Sequence, residues 1–144
     1  MDTKNDRQEV RAVYLVSSCL VGLTSRYDGV VNTNEACLKV LSGSIWIPVC
    51  PEQLGGLPTP RPAANLTGGQ GDQVLADKAR VLTVEGLDVT GQFVSGARQV
   101  LKIAEQLQVN AAFLKSGSPS CGVGKVLGVT AALLQSQGIP VREF

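Results

Sequence analysis

Histidine is absent from this chain of 144 residues. Its absence removes Ser-His and Cys-His nucleophile pairs, imidazole metal ligands and the commonest general acid or base together. Any catalysis must run on Cys, Asp, Glu, Lys, Tyr, Ser or a bound cofactor. The C-x-x-C spacing frequent in zinc sites is missing too, so a closed four-ligand zinc centre has little to build on. Nor does charge of one sign dominate. Thirteen basic residues against 12 acidic leave a net charge of +1 with no Lys/Arg block, which argues against nucleic acid and anionic membrane surfaces as partners. A small molecule is the better default. No apolar run approaches membrane-spanning length, and the N-terminal MDTKNDRQEVR is too polar for a secretory signal. These features point to a cytoplasmic protein with reduced thiols. Internal repeats, low-complexity tracts and interior domain boundaries are also missing, and TGGQG lacks the preceding strand and spacing of a dinucleotide fingerprint.

What is present is an apolar content of 44%, enough for one core, and four cysteines. Three of them, Cys19, Cys50 and Cys121, each follow a strand-like apolar run, in VYLVSSCLVG, IWIPVCPEQLGG and FLKSGSPSCG. A parallel α/β sheet gathers the carboxyl ends of its strands along one edge, so thiolates distant in sequence can converge there on one ligand and leave it partly open. That placement suggests a metal or iron–sulfur centre with a free coordination position. Cys37, inside the apolar ACLKVL stretch, reads instead as a small buried hydrophobe.

Strands alternate with helices along the chain. Ala12–Ser17 reads as a buried first strand, and Asn32 with Glu35 three positions on as a capping-box start to a short helix ended by Gly43. Ser44–Val49 is a second strand. Five of the seven prolines (Pro48, Pro51, Pro58, Pro60 and Pro62) fall within fifteen residues, which predicts a long stiff loop without regular helix. Residues 66–86 suit a small hairpin or an irregular excursion. From Thr90 a helix places Phe93, Ala97, Val100, Leu101, Ala104 and Leu107 on one face. Ala111–Leu114 is a short strand, Val129–Gln137 a compact helix stopped by Gly138, and Pro140–Arg142 an edge strand. The pattern predicts an α/β chain: a polar N-terminal tail over 1–11, then over 12–144 a single three-layer, Rossmann-like domain with a mainly parallel sheet.

The runs SSCLVGLTSRYDG, PVCPEQLGGLPTPRP and LKSGSPSCG, followed by GVTAALL and a late Gly-Ile, resemble the thiouracil desulfidase family from Val13 to Val141. That resemblance implies a Rossmann-like domain holding a 4Fe-4S cluster through three cysteines, with the fourth iron open to the sulfur of a thiolated pyrimidine. Matched by position, Cys19, Cys50 and Cys121 fall on the cluster ligands, Glu52 on the acidic residue two positions after the second ligand, and Ser118 on the serine three positions before the third. Glu52 and Ser118 are similar to the family's catalytic pair. One departure concerns the stretch GVGKVL after Cys121, shorter than the glycine-rich segment usual in relatives, which bears on any lid and on substrate preference.

The residues agree with this chemistry independently. An iron with an exchangeable position is a Lewis acid suited to a soft thiocarbonyl sulfur, and water adding to the ring carbon needs a carboxylate to take its proton, a role open to Glu52. Glu52 has a second, compatible reading as a helix or turn cap, and Ser116, Ser118 and Ser120 one as turn residues. Arg26, Arg61 and Lys115 are candidates for a phosphate or pyrimidine carbonyl, against the ordinary reading of solvated loop cations. Two functions follow: an iron–sulfur desulfidase acting on thiouracil or a thiouridine monophosphate, or a non-catalytic Rossmann-like module that binds a nucleotide or senses redox state through its thiols.

Overall fold

A computed structural model describes residues 10–144; most of the polar stretch expected over 1–11 lies outside the described residues. Strand β1 (Val13–Ser17) pairs in parallel with β2 (Ile45–Val49) on one side and β5 (Ala111–Leu114) on the other, and β5 pairs in parallel with β6 (Val141–Glu143). The order is β2-β1-β5-β6. Pro48 lies within β2, where a missing N–H is tolerated because the strand is at the sheet's edge.

Side chains alternate across this sheet with the two-residue period of a strand. Leu15, Ala112 and Leu114 face a core shared with Val100 and Ala104 of α4 (Thr90–Leu107) and Ala131 and Leu134 of α5 (Val129–Ser136). Val16 and Phe113 point the other way, onto Leu20 of the 3₁₀ turn Ser18–Val21 and onto Cys37 and Leu41 of α1 (Glu35–Leu41). Helical segments therefore cover both faces, as expected of a three-layer α/β fold. Cys37 is fully buried in that second core, matching its reading as a hydrophobe.

Some local expectations are corrected. Helix α1 starts at Glu35, and its N-cap is Asn34, not Asn32: the Asn34 side chain accepts the Cys37 N–H at 2.9 Å, which puts Glu35 in the first turn instead of the capping-box position. The proline-rich stretch is not wholly loop, because α2 (Pro51–Leu54) begins on Pro51, where a helix has no use for the missing N–H. Residues 64–83 form the antiparallel pair β3 (Ala64–Thr67) and β4 (Arg80–Thr83), with the short helix α3 (Gly71–Leu75) between them. Val74, Ala79 and Val81 of this unit pack on Phe93 and Ala97 of α4 and on Val129. On α4 the predicted apolar face is buried apart from Leu101, partly covered, and Leu107, exposed in the last turn before Gln108 reverses to a left-handed conformation.

Two glycines bring α2 against α4. A Cβ on Gly96 would stand 1.9 Å from the Pro51 carbonyl oxygen, and one on Gly55 would stand 2.0 Å from that of Gln92. No side chain fits between the backbones. This close packing fixes α2, and with it Cys50 and Glu52, relative to the rigid 18-residue α4.

Candidate functional site

In the order β2-β1-β5-β6 the chain leaves β1 toward β2 but leaves β5 toward β6. The loops after β1 and β5 diverge there, and α/β sheets open a crevice at such a switch point. A cavity of about 310 Å³ occupies this position, and Cys19, Cys50, Cys121, Glu52, Ser118, Arg26, Arg61 and Lys115 all line it. The structure thus brings together every candidate residue that the sequence pointed to.

Each cysteine is placed by the turn that follows its strand. Cys19 lies in the 3₁₀ turn after β1, and Cys50 is the N-cap residue of α2 after β2. Cys121 follows β5 on a loop organised by Ser118, whose Oγ accepts the N–H groups of Ser120 at 3.2 Å and of Cys121 at 3.1 Å. Cys121 is buried, while Cys19 and Cys50 are partly exposed, and all four thiols are free. Burial pushes the Cys121 thiol up to about 12; hydrogen bonds from Ser17 and Ser120 pull the other way, and the charges of Glu52 and Cys50 add to the rise. Cys19 is also raised, by burial first and by Cys50 next, against the opposing pull of Lys115 and Arg26. Ionised together, these thiols would repel one another, and a cation bound among them would relieve that repulsion.

A hydrogen-bonded chain runs from the third loop to the second. The Ser118 and Ser120 hydroxyls lie 3.0 Å apart, Ser120 Oγ donates to Glu52 Oε2 at 2.9 Å, and Glu52 Oε1 accepts from Arg61 Nε at 2.9 Å. Ser120 Oγ also stands 3.6 Å from Cys121 Sγ. Ser118 is thus a turn former, and it also lines the cavity. The cations differ in availability. Arg26 pairs with Asp28 at 3.1 Å, and among the described residues Lys115 Nζ meets only the carbonyl and hydroxyl of its neighbour Ser116, at 3.4 and 3.3 Å. Arg61 is buried and bonded to protein on every side, unlike the substrate contact expected of it.

Two further residues join the site beyond those the sequence singles out: Ser120, which reads there as a turn residue, and Ser25, whose carbonyl accepts from Arg61 Nη2 at 2.9 Å and faces Cys50 Sγ at 3.7 Å. The adjacency of Ser120 to Cys121 was the available signal. For Ser25 no local pattern exists, since its partners lie 25 and 36 residues away.

The shortened stretch after Cys121 is tied down. Glu143 accepts the N–H groups of Val123 at 2.7 Å and Gly124 at 2.8 Å, and the Gln70 side chain accepts that of Leu127 at 2.8 Å. The Gly124 and Val123 N–H groups hold the Glu143 carboxyl below its ordinary value. A depressed carboxyl contributes stability above its unfolded pKa and loses it as pH falls through the folded one. Glu143→Ala is therefore expected to speed amide exchange at Val123 and Gly124 several-fold at neutral pH, with the difference from wild type fading in acid. Hydrogen exchange read by NMR at the two pH values checks this.

Fold and site together define a Rossmann-like α/β protein with a thiol-lined crevice at its topological switch point. The family model for 2-thiouracil desulfurase matches residues 14–143, and the chain belongs to that family. It is 40% identical over 139 residues to the uncharacterized protein YbbK of Bacillus subtilis (strain 168), covering 88% of this chain and 92% of that one. It also resembles the solved structure of the 4Fe-4S-dependent thiouracil desulfidase TudS, with a TM-score of 0.73 and 36% identity over 92% of this chain and 91% of the other.

Proposed function

We propose that this protein is an iron–sulfur-dependent desulfidase that converts a thiolated pyrimidine, thiouracil or thiouridine monophosphate, into its oxo form and sulfide. The observation that carries this reading is the convergence of Cys19, Cys50 and Cys121, from three strand ends, on one cavity that also holds Glu52 and Ser118. Membership in the family and the likeness to TudS support it. Among the described residues no group of three Cys, Asp or Glu side chains is arranged to grip a single metal ion. The soft sulfur donors fit iron–sulfur chemistry, and three of them leave one iron without a protein ligand.

Bound there, the cluster supplies a Lewis acid for the thiocarbonyl sulfur. The remaining work falls to side chains of this chain. Glu52, fixed on α2 and flanked by Arg61 and Ser120, takes a proton from the water that adds to the ring carbon. Ser118 orients that water or the ring, and its contact with Ser120 gives the proton a hydroxyl path to Glu52. The net change exchanges C=S for C=O, water for hydrogen sulfide, and moves no electrons. Arg26 and Lys115 provide the positive charge at the cavity that a nucleotide phosphate would meet. Such a cluster and its free thiols need the reducing cytoplasm, and a small pyrimidine is the only partner the reading requires.

Anaerobic reconstitution with iron and sulfide tests the reading. The expected product is brown, holds about four irons per chain and turns 2-thiouracil into uracil, while protein purified in air is pale and largely inactive. Full turnover by iron-free protein would overturn it.

A further inference from the structure

Arg61 stands between Pro60 and Pro62 with its side chain only 4% exposed, and each of its five N–H donors has a protein partner. Nε bonds Glu52 Oε1 at 2.9 Å; Nη1 bonds the Pro58 carbonyl at 3.1 Å and Thr59 Oγ1 at 2.8 Å; Nη2 bonds the Ser25 carbonyl at 2.9 Å and reaches Cys50 Sγ at 3.8 Å. Its backbone N–H bonds the Tyr27 carbonyl at 2.8 Å. One residue thus joins the loop after β1, the loop after β2 and the proline-rich segment. Burying a guanidinium is costly unless it is fully paired, and a planar fork satisfied on every side has no donor left for a substrate.

Its two charged or chargeable partners are a proposed cluster ligand and the proposed proton acceptor. Resting on the desulfidase reading, we infer that Arg61 is a positioning residue serving both: one N–H on the Cys50 sulfur holds that atom in place as a cluster ligand, and another on Glu52 aims the carboxylate so that its second oxygen meets Ser120. A hydrogen bond and a positive charge beside a ligating sulfur draw electron density from a cluster and raise its reduction potential, and outer partners of this kind govern metal retention. Arg61 acts through Cys50 and Glu52 and touches no substrate.

The test compares reconstituted wild type with Arg61→Lys, which keeps the charge but cannot span the partners, and Arg61→Gln, which removes it. The expected result is a more negative midpoint potential in both variants, iron loss to a chelator faster by about tenfold or more, and a lower kcat on 2-thiouracil at nearly unchanged KM. Wild-type potential and iron-loss rate in Arg61→Gln would overturn the inference, as would a rise in KM at constant kcat, which marks a substrate contact. Should both Arg61 variants fail to fold, Thr59→Val removes the hydroxyl that buttresses Nη1 at 2.8 Å and also accepts the exposed Gln53 amide at 2.7 Å. It should shift potential and iron loss the same way by a smaller amount, and wild-type values there would equally overturn the role. A wild type that takes up no cluster refutes the desulfidase reading, a result distinct from every variant outcome.

Discussion

Replacing Cys19, Cys50 or Cys121 with Ser, one at a time, should strip most of the iron from the reconstituted protein and abolish desulfidation, while Cys37→Ser keeps both. The first three line one cavity at the carboxyl ends of β1, β2 and β5. A serine hydroxyl in their place is a poor ligand for a soft iron–sulfur centre, and two thiolates do not hold a cubane as three do. Cys37 lies in the other layer, fully buried with Val16, Leu20, Leu41 and Phe113. There the substitution buries a hydroxyl where a thiol packed, a cost of about 1–3 kcal/mol felt as a lower Tm and not as lost iron. Iron and sulfide content per chain, with thermal unfolding measured on the same four variants, checks both halves. Equal iron loading across all four would refute the ligand assignment.

Glu52→Gln should leave cluster content and thiopyrimidine binding near normal, yet lower turnover per cluster on the order of a hundredfold or more, the range for loss of a general base. The amide preserves the side chain's shape, and its carbonyl oxygen can accept one of the two hydrogen bonds that Arg61 and Ser120 donate at 2.9 Å. What it cannot do is take a proton. A purely structural Glu52, acting only as an acidic residue in the first turn of α2, would give the opposite pattern: lower thermal stability, poorer cluster retention and near-normal turnover per intact cluster. Assaying both proteins on a free thiouracil and on a thiouridine monophosphate also shows what Arg26 and Lys115 contribute. A larger KM loss for the monophosphate in Arg26→Ala or Lys115→Ala, with the free base unaffected, assigns the phosphate to that residue.

Much of the site was legible because it is built from local signals. Each of the three cavity cysteines lies in the loop after a run of strand-forming residues, and the near-continuous apolar stretches VYLV and AAFL are those of strands in a sheet covered on both faces. Helix boundaries were less legible. Asn32 and Asn34 are both good cap residues, and only the backbone, extended at Asn34 and helical from Glu35, chose between them. Pro51 likewise reads as a helix breaker until it is seen at the first position of α2, where its missing N–H costs nothing.

By itself the sequence determined the chemical inventory: no histidine, three cysteines at strand ends, an acidic residue two positions after the second, and a parallel α/β order that sends all three loops to one edge. Those are consequences of residue type and short-range periodicity. Only the tertiary structure decided which groups touch. Arg61, expected as a substrate contact, is a buried tie between Glu52, Cys50 and Ser25, and Ser120, expected to shape a turn, is the link from Ser118 to a carboxylate 68 residues away. Such contacts depend on the strand order β2-β1-β5-β6 and on α2 lying backbone to backbone against α4, and neither is written in any local stretch of the chain. Burial then gave the contacts their weight, because a charge enclosed by protein must find its partners there and cannot turn to water.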